Sequence, residues 1–144
     1  MRFVPGGRLV TDALARDRRG VAMVEFALVA PVFLMTLLGI IGYGGYFWRA
    51  HVVQQVANDA ARAAIGGLTA PERETLALAS ATSDFTSLGG IDIAQTTTLV
   101  RQTADTVTVE VSYDGRRDGF LRLSLVPLPS TNIRRVAAVR LGGL

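Results

Sequence analysis

Glu25 is the residue whose position most demands a chemical reason. It lies five residues past Gly20, in the run Arg18-Arg19-Gly20-Val21-Ala22-Met23-Val24-Glu25-Phe26. A carboxylate in hydrocarbon is costly or is forced neutral. An acid kept there implies either a cationic partner or a depth from which it reaches the interface near Arg18 and Arg19. Other reactive groups are scarce. His51 is the only histidine and cysteine is absent, so zinc sites of the usual kind and disulfides are excluded. One membrane-proximal histidine builds no Ser/His/Asp set. Glu110 is the only acid within a strand pattern, and its register puts it on the polar side. No catalytic residue, metal or cofactor is expected, and the chain reads as a non-enzyme.

The element that carries Glu25 is an apolar run. Residues 26–48 contain no charge, and Thr36 is their most polar side chain. About 20 apolar helical residues span a bilayer core, so a membrane-spanning helix is predicted. Five arginines precede it, with Arg16, Arg18 and Arg19 closest. The excess of positive charge on that side places the N-terminus in the cytoplasm and the C-terminal part outside. Tyr43, Tyr46, Phe47 and Trp48 mark an aromatic belt at the far interface. A secretory signal fits less well: its apolar run is about 7–15 residues and ends in small residues near the cut, whereas this run ends Tyr46-Phe47-Trp48-Arg49.

Pro31 inside the span removes one backbone donor and favours a kink. Gly39, Gly42 and Gly45 recur every third residue. They form either a smooth strip for close approach of another helix or the ordinary glycine content of membrane helices. Residues 50–65 continue with helical period. Val53, Val56, Ala57, Ala60 and Ala64 share one face, and Gln55, Asn58, Asp59 and Arg62 share the other. That apolar face suits either other helices or the chain's own following domain. Continuous helix over residues 22–65 would be roughly 65 Å long at 1.5 Å per residue. Gly66-Gly67 stops it.

Thr69 and Glu72 have capping-box spacing, with Pro71 in the first turn of a second, short helix continued by Leu76. Residues 82–90 are rich in Ser, Thr and Gly and read as a loop. Val107, Val109, Val111 and Tyr113 alternate with polar residues, the mark of a half-buried strand. Residues 97–102 pair with it through a short turn, and residues 120–126 and 136–141 make further strands. Asp114, Arg116, Arg117 and Asp118 read as a solvated turn. The predicted class is α+β: a long N-terminal helix, a short helix and a small antiparallel sheet.

The net charge of +3 resides entirely in residues 1–20, where five arginines face Asp12 and Asp17. The remainder is balanced, so the basic character gives no support for nucleic-acid binding.

Residues 18–66 resemble the N-terminal signature of TadE-like proteins, the minor pilins (pseudopilins) of the Tad, or tight adherence, type IVc pilus system. Three features carry the resemblance: Arg18-Arg19-Gly20 followed by Val21-Ala22-Met23-Val24-Glu25-Phe26-Ala27-Leu28, an apolar helix with Pro31, and the stretch from Val53-Gln54-Gln55-Val56 to Ala63-Ala64. The resemblance implies cleavage by a prepilin peptidase at Gly20–Val21. Glu25 would become the fifth residue and meet the new N-terminal amine of a neighbouring subunit. Such a pair in low dielectric sets register more readily than it adds stability. Phe26 stands where many Tad pilins carry Tyr, so any bond from that hydroxyl is absent.

The resemblance further implies an inner-membrane, single-pass protein with a periplasmic domain, reaching the pilus or cell surface after assembly. Its partners would be the peptidase, other Tad pilins and pseudopilins, the inner-membrane assembly platform and the lipid bilayer. The expected organisation is a leader over residues 1–20, the helix over 21–66 and an extracytoplasmic domain over 67–144. The function expected is structural, in pilus biogenesis and adherence. The alternative is a bitopic assembly or sensor protein that binds a partner and never enters a filament.

Overall fold

The computed structural model describes residues 18–122 and 127–142. Helix α1 covers Arg18–Ala64, 47 residues with Pro31 inside. By internal contacts the chain divides into two units, with the boundary between Leu37 and Leu38.

In the first unit every described side chain from Gly20 to Leu37 is exposed except half-buried Ala30. Nearly all are apolar, with Phe26 73 % and Leu28 71 % exposed. The Thr36 hydroxyl donates to the Val32 carbonyl at 2.9 Å, so the most polar side chain of the run is satisfied by its own helix. Among the described residues one helix is long and apolar enough to cross a membrane, with mean hydropathy 2.3. This fits a membrane anchor.

The second unit is α+β. After α1, helix α2 runs over Ala70–Leu88. A 3-10 turn at Ile93–Gln95 leads into β1 (Thr96–Gln102) and β2 (Thr106–Asp114). A second 3-10 turn at Gly115–Arg117 and the single-turn helix α3 (Gly119–Arg122) precede β3 (Asn132–Arg140). The strands form one antiparallel sheet in the order β1-β2-β3. Val100, Val109 and Ala137 lie across from one another, as do Leu99, Glu110 and Val136.

One apolar core joins these elements. The expected apolar face of α1 is fully buried at Val53, Val56, Ala57, Ala60 and Ala64. The strand pattern holds too: Val107, Val109, Val111 and Tyr113 point into the core, while Thr106, Thr108 and Ser112 are half-buried on the other face. The capping box at Thr69 and Glu72 is formed in both directions.

Three expectations are corrected. The segment 82–90 is not a loop, because α2 continues to Leu88. Thr82 and Thr86 turn their hydroxyls back to the carbonyls of Leu78 and Thr82, so they do not compete with the helix. Phe85 in the same segment is buried in the core, and that burial outweighs weak helix propensity. The buried face of α2 is Ala77, Ala81 and Phe85, leaving Leu76 41 % exposed. No strand begins at Phe120: Asp118 accepts from the backbone N–H groups of Phe120 and Leu121 and starts α3. Residues 123–126 lie outside the described residues. Finally, Tyr46 is a core residue, not a member of an interfacial belt.

Candidate functional site

Gly20 lies within α1, near the first of the described residues. A side chain added at Gly20 would meet nothing within 4 Å. Val21 is 67 % exposed, so the Gly20–Val21 bond is sterically open.

One turn further, Glu25, Ala22, Phe26 and Val29 line a shallow notch on the helix. Glu25 is exposed, and none of the hydrogen bonds or ion pairs among the described residues involves it. The notch is an acid ringed by apolar side chains with one face open. It can accept a cation from outside the helix. Arg16 lies outside the described residues, as do the side chains of Arg18 and Arg19.

Of the three glycines on the strip, Gly42 is buried and Gly39 and Gly45 are half-buried. A Cβ at Gly45 would enter the ring of Phe120. This part of the strip is therefore covered by the chain's own α3. Gly44, beside it, faces open space.

A polar centre unforeseen in the sequence sits next to that contact. Arg49 donates from Nε and Nη2 to the two carboxylate oxygens of Asp118, at 2.5 and 3.1 Å. Its Nη1 donates to the Gly45 carbonyl at 3.2 Å. The guanidinium lies 4.9 Å from the Phe120 ring centre and 5.9 Å from that of Trp48. The Tyr113 hydroxyl donates to Asp118 at 2.7 Å. Side-chain exposure is only 11 % for Arg49 and 8 % for Asp118. Burial pushes the Asp118 carboxyl up, but the bonds from Tyr113, Arg49 and two backbone N–H groups outweigh it and hold it below the usual range. Burial, with Asp118 beside it, pushes Tyr113 up to about 12. Asp118 is thus not part of a solvated turn. A signal that could have found it is Asp118-Gly119-Phe120-Leu121, an N-cap residue before apolar ones.

Asp114 does behave as a solvated turn residue. It pairs with exposed Arg116 at 2.6 Å, and bonds from Arg116 hold its carboxyl down at about 2. Glu110 faces the polar side of the sheet as expected, yet is only 8 % exposed. Arg134 covers it at 2.5 Å, with Arg101 at 3.9 Å. His51 is exposed. Among the described residues no three His, Asp or Glu side chains gather as metal ligands.

Residues 20–62 match the family model described as TadE-like protein. That is a pilin-like, structural family associated with the Tad pilus. The matched stretch holds Gly20, Glu25, Phe26, Pro31 and the buried alanine face of α1. No curated protein and no solved structure matches the chain.

Proposed function

We propose that this chain is a minor pilin of the Tad pilus, held in the inner membrane by α1 and drawn into the assembling structure by that same helix. The observation that carries the reading is Glu25: an exposed acid on an otherwise apolar helix surface, inside the stretch that is TadE-like. In the proposed sequence of events a prepilin peptidase cuts Gly20–Val21. The ammonium of a neighbouring subunit's new N-terminus then enters the notch at Ala22, Glu25, Phe26 and Val29. Two ions that are each costly in hydrocarbon offset one another, and the pairing fixes axial register. Arg16, Arg18 and Arg19 hold the leader on the cytoplasmic side, and the α+β unit lies in the periplasm before assembly. Gly39, half-buried, is the part of the strip proposed for helix packing, since Gly42 and Gly45 are already covered by the chain itself. Other Tad pilins, pseudopilins and the assembly platform are the proposed partners, and surface adherence the outcome.

The test is incorporation. Cells carrying a tagged wild-type chain or Glu25→Ala are sheared, and the filament fraction is probed for the tag. The proposal expects the wild type in the filament fraction and Glu25→Ala confined to the membrane. Wild-type protein that never leaves the membrane would favour an anchored assembly factor.

A further inference from the structure

The uncharged run does not stop where the folded part begins. Residues 38–48 belong to the second unit, and segments far away in sequence pack directly on them. The Tyr43 hydroxyl donates to the Pro127 carbonyl at 2.9 Å. The Phe120 ring lies on Gly45. The Trp48 ring lies on Gly90, whose φ of 73° and lack of a Cβ both allow the approach. Tyr43 precedes the first charge, Arg49, by six residues, or about 9 Å along a helix. Pro127 and Phe120 therefore stand beside the last turns of the apolar run, not beyond its end.

The surface formed there is apolar and aromatic. Phe47 is 60 %, Trp48 45 % and Phe120 38 % exposed, and Pro127 is exposed. It is continuous along α1 with exposed Ile40 and Ile41. The nearest opposite charges, Arg49 and Asp118, are paired and withdrawn from it. Exposed Arg122 lies in the last turn of α3, two residues from Phe120. Rings together with an exposed arginine suit the headgroup layer, where rings sit at the boundary and a guanidinium meets phosphate.

We infer that Phe120 and Pro127, with Phe47 and Trp48, form a second lipid contact, through which the α+β unit rests in the headgroup layer of the bilayer that α1 crosses. The occupant is phospholipid because whatever surrounds Ile40 and Ile41 must also meet Phe120 and Pro127. The inference rests on the reading of α1 as a membrane anchor.

The chain has no cysteine, so single labels are unambiguous. Full-length protein in phosphatidylethanolamine/phosphatidylglycerol vesicles would carry a nitroxide at Pro127→Cys, at Ile40→Cys or, on the outer face of the sheet, at Leu99→Cys. Collisions with oxygen report lipid, and collisions with a soluble nickel chelate report water. The Pro127→Cys label should favour oxygen, as Ile40→Cys does, with the order reversed at Leu99→Cys. An aqueous Pro127→Cys label beside a lipid-exposed Ile40→Cys label overturns the inference and leaves the anchor standing. A Pro127→Cys label shielded from both colliders also overturns it, since protein would then cover the surface. An aqueous Ile40→Cys label removes the anchor reading and the inference with it. Trp48, the only tryptophan, checks the result without substitution. Lipids labelled near the headgroup should quench its fluorescence, and lack of quenching would count against the contact.

Discussion

Arg49 and Asp118, 69 residues apart, form a two-bonded ion pair at 2.5 and 3.1 Å that ties α1 to the start of α3. Breaking a buried pair from one side leaves an uncompensated charge and costs about 3–5 kcal/mol. Whole domains hold only about 5–15 kcal/mol. Arg49→Met and Asp118→Asn should each lower the denaturant midpoint of the second unit severely. Asn keeps the capping oxygen, so the Arg49→Met/Asp118→Asn double variant should recover about 1–3 kcal/mol relative to the sum of the singles. Additive losses in chemical denaturation would mean that the pair is not coupled.

The same centre predicts how stability follows pH. Asp118 has a depressed carboxyl, so its contribution is present above the ordinary aspartate value of 3.8 and is lost as pH falls through the folded one. Tyr113 is raised from 10.0 to about 12, so its contribution is present below pH 10 and fades between 10 and about 12. Asp84 is raised, by burial and by Asp59, and on its own favours the fold as pH falls. Unfolding followed across pH should therefore show an acid loss below pH 4 and an alkaline loss above 10. Tyr113→Phe should flatten the alkaline limb. An unchanged limb would remove Tyr113 from the account.

Gly45 and Gly44 are neighbours with opposite surroundings. Any side chain at Gly45 meets Phe120, so Gly45→Val should cost about 1–3 kcal/mol through overpacking. Gly44 meets nothing, so Gly44→Ala should be neutral or stabilise the helix by roughly 0.5–1 kcal/mol. Thermal unfolding of both variants checks the contrast. If Gly44→Ala folds normally yet fails to assemble, the open side of the strip faces another subunit.

Phe85→Ala should cost about 3–5 kcal/mol, as expected for a core aromatic at 3 % exposure. A loop residue would cost almost nothing, so urea unfolding separates the two descriptions of residues 82–90.

Phe85 also marks where the sequence stopped being legible. Period-two alternation identified β2, and apolar residues at helical spacing identified the buried face of α1, because both patterns are written in side-chain polarity. Residues 82–88 are helical for a tertiary reason, the burial of one ring among threonines that bond back to their own helix. No local pattern carries that. The strand expected over residues 120–126 does not begin at Phe120, because Asp118 caps a helical turn there, and its pairing with Arg49 spans too much sequence to be read from spacing. Glu25 was legible at once, since an acid within an apolar run stands out without any fold. The structure adds that the surface around it is open.

Gly20→Phe should stop processing, because a peptidase site that accepts a small residue would be filled, while leaving the protein in the membrane. A cut at Gly20–Val21 would make precursor and product differ by residues 1–20, so the two would separate by mass. Wild-type-like conversion of Gly20→Phe would move the cut elsewhere.

The most direct measurement is the N-terminal sequence of membrane-extracted protein, made with and without the cognate prepilin peptidase. The pilin account predicts a start at Val21 that appears only with the peptidase. A chain that keeps Met1 in both preparations would contradict it, leaving residues 1–20 as a permanent tail and Glu25 without an amine to meet.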